Sequence, residues 1–138
     1  MRTLFIAVAA LATTFTQAVI AQSSITSEPQ PDYLLESYVA YVGSQDLFNS
    51  SGHRLTKPWQ IVRQDRANFH MYGRGDRDDQ WDSFFGNSVN RELLEQMLHR
   101  GIIAPRAAGD IVRGDVLIRV EIYGSGSTGR SVHISVMQ

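Results

Sequence analysis

The amino-acid sequence predicts an α+β fold: a small antiparallel sheet, built from a C-terminal hairpin and one N-terminal strand, with two or three helices packed on one face. Three observations carry this. Val116, Ile118, Val120 and Ile122 alternate with polar or mixed neighbours, and Val132, Ile134 and Val136 do the same. That is the period of strands with one buried and one open face. Between the sheet-forming ends, Leu93, Leu94, Met97 and Leu98 recur at helical spacing. Near the N-terminus, "SYVAYVG" (37–43) is β-branched and aromatic, which favours a strand ending at Gly43.

The chain opens on an address. Arg2, an apolar run from Leu4 to Ala12 and the small-residue end Val19-Ile20-Ala21 have the layout of a secretory signal. Thr13, Thr14, Thr16 and Gln17 interrupt the run, making it too short and polar to stay as a membrane span. Residues 1–21 are therefore expected to be removed, leaving a mature chain that starts near Gln22. Residues 22–32, polar with two prolines, read as a flexible leader, and 33–138 as one domain with its own core.

Within that domain, a helix from Pro31 would also align Leu34, Leu35, Tyr38 and Val42, so strand and helix compete over 33–43. "NSSG" (49–52) reads as a turn. Thr56 can cap a helix with Pro58 in its first turn and Gly73 closing it. "GRGDRDDQWD" (73–82) reads as a solvated acidic loop and "SFFG" as an apolar plug. Asn90 is placed as the cap of a helix ending at Gly101, with Val89 and Leu94 as its hydrophobic staple. Pro105 starts a short helix that stops at Gly114.

Composition bounds the function. The chain has no cysteine, which excludes thiol catalysis and cysteine metal sites and, with an export signal, points to a bacterial envelope or extracellular protein. The mature chain carries twelve basic against fourteen acidic side chains, so the basic excess of a nucleic-acid binder is missing. No cofactor or metal is expected. The spacing of Asp76, Asp78, Asp79 and Asp82 resembles a calcium loop, but Gly is absent at its sixth position and Asn87 stands where Glu is needed. "GSGSTG" (124–129) matches a phosphate-loop pattern, but a strand rather than a helix follows it, so it reads as a flexible hairpin loop.

Two groups of polar residues remain. In "WQIVRQDRANFHMYG" (59–73), at about 100° per residue, Asp65 falls at about 240° from Trp59, inside the apolar arc of Ile61, Val62, Phe69 and Tyr72. Arg66 and Asn68 flank that arc. A carboxylate there needs a partner. The expected partners are a distant arginine (Arg54, Arg77 or Arg91), an aromatic donor or backbone N–H groups, which would make Asp65, Arg66 and Asn68 a structural anchor with Asp65 ionised. The competing reading has Asp65 as a general acid or base beside His53. His70 is placed on the wet side.

The second group is the hairpin's open face. If Tyr123 pairs with Ser131, Glu121 lies opposite His133 with Arg119 nearby, an acid–base and anion-binding set and equally an ordinary solvated face; a one-pair slip would set His133 beside Arg119 or Tyr123 instead. The expectation is an exported binding protein for an unidentified protein or envelope component. The alternative is a small hydrolase using Glu121, His133 and Arg119.

Overall fold

The structure is a computed structural model that describes residues 30–137. The signal at 1–21 and the leader over 22–29 lie outside the described residues. From there the order is β1 (Tyr33–Val42), a 3-10 turn (Ser44–Leu47), α1 (Pro58–Tyr72), α2 (Ser88–Glu92), α3 (Leu94–Arg100), β2 (Ile102–Ile103), α4 (Ala107–Arg113), β3 (Val116–Ser125) and β4 (Thr128–Val136).

These elements make the predicted α+β domain. The sheet runs β1-β3-β4-β2, with both long pairings antiparallel. The competition over 33–43 is resolved as strand, because Tyr38, Ala40 and Val42 alternate into the core. There they meet Ile118, Val120 and Ile122 of β3 and Val132 and Ile134 of β4. Helix residues Ile61, Val62, Leu94, Met97, Leu98 and Ile111 cover this face. Arg119, Glu121 and Tyr123 of β3 with Ser131, His133 and Ser135 of β4 form the other, open face. Among the described residues no helix is long and apolar enough to cross a membrane.

The sheet is mixed rather than purely antiparallel, because β2 pairs parallel to β4 through Ile102 and Ile103. Two residues are too few to leave a periodic signal. The local clue is Gly101: a Cβ there would lie 1.8 Å from the Val132 carbonyl oxygen, so only glycine lets the chain reach this edge.

Helix α1 begins at Pro58, with Lys57 rather than Thr56 as its cap residue. The side chain of Gln60 reaches back to accept from the N–H groups of Thr56 and Lys57. The helix predicted from Asn90 starts earlier and is broken in two. Asn87 caps α2, its Oδ1 accepting from Val89 N–H at 2.9 Å, and Leu93 separates α2 from α3. Phe84 and Phe85, buried in the core, hold the chain just upstream, and Asn90 donates to the Phe84 carbonyl at 2.9 Å instead of capping. Val89 is consequently exposed and forms no staple.

The flexible loop expected at 124–129 is mostly strand. Only Gly126 and Ser127 form the turn, and Gly124 faces Gly129 across the hairpin. A Cβ on Gly129 would lie 2.3 Å from Phe84 Cζ and 2.7 Å from Met97 Cε, so this glycine lets the helical layer sit flat on the sheet.

Candidate functional site

The most elaborate polar arrangement lies under α1. Asp65 and Arg66 are 2% and 0% exposed, and neither can stay charged there alone. Arg66 Nε donates to Asp65 Oδ2 at 2.7 Å, and its Nη1 donates to Asp82 Oδ2 and to the Gln80 carbonyl, both at 3.0 Å. Asp79 Oδ1 stands 3.8 Å from Nη2. The guanidinium lies between the rings of Tyr38 and Phe69, 4.4 and 4.7 Å from their centroids. Asp82 Oδ2 also accepts from His70 Nε2 at 2.9 Å, and its Oδ1 takes the Phe85 N–H.

Asp65 thus meets the residue next to it, not Arg54, Arg77 or Arg91. Adjacent helical residues diverge at Cβ, but the long arginine side chain folds back while its fork reaches residues 80 and 82. Arg54 instead binds the Val112 carbonyl, Arg91 binds carbonyls of Phe85 and Gly86, and Arg77 is exposed. His53 lies on the exposed 49–53 turn, away from Asp65.

Burial pushes the Asp65 carboxyl up to about 8, against the opposing Arg66 guanidinium and with Asp46 and Asp79 adding to the rise. The sequence expects Asp65 to be ionised; burial and its acidic neighbours oppose the 2.7 Å bond from Arg66, because three carboxylates within 4 Å share one guanidinium.

His70 is also corrected, since its side chain is only 3% exposed and sits edge-on to Phe69 and Trp81. The acidic loop is likewise not simply solvated. Asp79 accepts from the N–H groups of Tyr41 and Asp76, and the side chains of Asp79 and Asp82 are 1% and 0% exposed. Among the described residues no group of three or more His, Asp or Glu stands where a metal ion could be held.

Asn68 continues the polar layer. Its Nδ2 donates to Asp46 Oδ1 at 2.7 Å and its Oδ1 accepts from Gln64 Nε2 at 2.9 Å. Asp46 also takes the Gly43 N–H, and burial pushes its carboxyl up to about 6. Asp46 and Gln80 were not singled out by the sequence, and Asp82 only within a calcium-like spacing, because their partners lie 14 to 22 residues away.

On the hairpin, Tyr123 pairs with Ser131, Glu121 with His133 and Arg119 with Ser135. The three candidate catalytic residues share one face, and the His133 ring lies 4.6 Å from that of Tyr123. Among the described residues Glu121 and His133 share no hydrogen bond or ion pair. A base and an acid set side by side on an open face, with the Tyr123 ring against His133, can contact a partner.

Fold and site together define a class: a small α+β domain with a carboxylate-rich buried cluster and one uncovered sheet face. Comparison with family models, curated proteins and solved structures found no match.

Proposed function

We propose that the chain is an exported bacterial domain, periplasmic or extracellular, that binds a protein or cell-envelope component without transforming it. The observation that supports this reading is the division of polar groups between two places. Asp65, Asp79, Asp82 and His70 are buried and engaged with one another or with Arg66. Arg119, Glu121, Tyr123 and His133 stand on the sheet face opposite the helices. A sheet face with mixed charge and an aromatic ring presents the kinds of group that recognition surfaces use.

Immobilised protein is expected to retain a partner from envelope extract, and Glu121→Arg or Tyr123→Ser to abolish retention with the fold intact. Retention unchanged in both variants would remove this face from the function.

The pairing of Glu121 with His133 favours one other reading, a small hydrolase. It predicts that His133→Ala abolishes turnover of a substrate found by screening while shifting stability by less than about 0.5 kcal/mol, as solvent-face substitutions generally do. A loss of several degrees in melting temperature would make His133 structural instead.

A further inference from the structure

Away from the sheet face, the side of α1 that points from the core forms one wall of a groove, and the 45–55 loop forms the other. Two hollows of about 420 and 350 Å³ share Asn49, Ser50, Gln64 and Tyr72 and so join into one groove. Each is within the range of small-molecule sites, roughly 300–1,000 Å³.

The groove has an unusual lining. Carboxamides recur along it, from Gln45 and Asn49 to Gln60, Gln64 and Asn68, and no Asp or Glu lines either half. Exposed Phe48 and Tyr72 and half-buried Trp59 supply aromatic surface. Arg63 and Arg74 bring positive charge, and among the described residues neither is in an ion pair.

Its floor is held in place. Asp46 is buried and accepts from Asn68 Nδ2, which turns Asn68 Oδ1 towards Gln64 Nε2. The order of donors and acceptors is therefore fixed from the inside, leaving the Gln64 carbonyl oxygen to face a ligand. A site whose polar groups are pre-aligned loses less freedom when it binds.

We propose that this groove binds a carbohydrate chain carrying carboxylate groups. Each sugar hydroxyl is both donor and acceptor, as each carboxamide is, so a row of amides matches a row of hydroxyls. The C–H face of a pyranose lies against the electron-rich face of an aromatic ring such as Tyr72. Guanidinium groups pair with carboxylates in a fixed fork geometry, which selects an acidic sugar over a neutral one. A peptide binding by strand addition would call for exposed strand backbone, whereas side chains of a helix wall this groove. Hydrolysis of the chain is not part of the proposal, since glycoside cleavage generally uses a pair of carboxyl groups and the lining has none.

Isothermal titration of the purified protein with a galacturonic acid trisaccharide, an N-acetylglucosamine trisaccharide and a tri-glutamate peptide tests this. The galacturonate is expected to bind at least tenfold more tightly than the other two. Gln64→Leu and Tyr72→Ala should each weaken it tenfold or more, while Arg63→Gln with Arg74→Gln should erase the preference for the acidic sugar. Glu121→Arg, on the sheet face, should leave it unchanged, which keeps this site separate from the one proposed for the partner. No binding of either sugar at millimolar concentration would overturn the proposal. So would equal binding of the neutral sugar or the peptide, or binding that Gln64→Leu and Tyr72→Ala leave untouched while both variants melt with the wild type.

Discussion

Arg66 and Asp82 stand sixteen residues apart in sequence and 3.0 Å apart in space, Nη1 to Oδ2, with both side chains withdrawn from water. Through that contact and the Gln80 carbonyl, one guanidinium fastens α1 to the segment that leads from the acidic loop into the core phenylalanines. Removing one member of a buried ionic network leaves the others uncompensated, and that is where the penalty is largest.

Arg66→Met is therefore expected to lower unfolding free energy by about 3–5 kcal/mol. Arg66→Lys should also be destabilising, because a single ammonium cannot span Asp65, Asp82 and the Gln80 carbonyl as a planar fork does. Urea melts measure both. A midpoint for Arg66→Met within error of the wild type would mean that the cluster does not couple helix to loop.

The Asp65 carboxyl gives a pH dependence with a definite sign. Its folded value is raised to about 8, whereas in the unfolded chain it lies near an ordinary value of about 3.9. Between the two, the folded protein holds a proton that the unfolded chain has released, so this group makes stability fall as pH rises through that window. Asp65→Asn keeps an acceptor for Arg66 and removes the titration. It should gain on the wild type between pH 5 and pH 8.5. A constant offset from the wild type over that range, with any divergence confined below about pH 4, would show a depressed carboxyl instead. Asp46, raised to about 6 by burial, adds a dependence of the same sign over a narrower window.

Much of the fold was legible because its signals are local. Strand alternation at 116–122 and 132–136 marked the buried and open faces, whereas the hairpin register that sets Glu121 opposite His133 was open to a one-pair slip until the Tyr123–Ser131 pairing fixed it. Pro58 and Gly73 bounded α1. The site was legible only in part. A carboxylate amid apolar residues identified Asp65 as a group needing a partner, but nothing local says that Arg66 folds back to it or that His70 turns inward to Asp82. Those outcomes depend on where residues 79–82 pack, a long-range matter with no periodicity to read. The same holds for β2, whose only trace is a glycine.

Packing at Gly129 supplies a third expectation. Gly129→Ala drives a methyl group against Phe84 and Met97 and should reduce stability by about 1–3 kcal/mol, the usual range for overpacking. Thermal melts read this directly. Adding Phe84→Leu should recover part of the loss, whereas additive losses would place the strain elsewhere.

Export is open to a direct check. N-terminal sequencing of the protein recovered from its native host is expected to begin near Gln22, in the periplasm or medium. An intact Met1 in the cytoplasm would overturn the reading of residues 1–21 as a removable signal.

The way the acidic loop meets β1 has a consequence for self-association. Gln80 N–H donates to the Val39 carbonyl, Val39 N–H donates to Gln80 Oε1, and Tyr41 N–H donates to Asp79 Oδ1. At Val39 and Tyr41 these bonds take up three of the backbone groups that the outer rim of the sheet would otherwise offer another molecule. At the opposite rim β2 is only two residues long, a short template for strand addition. Exposed strand rims recruit further copies and seed fibrils. Here a side-chain amide and a carboxylate occupy part of one rim, so the same loop that anchors the helix also withdraws part of this edge from strand addition.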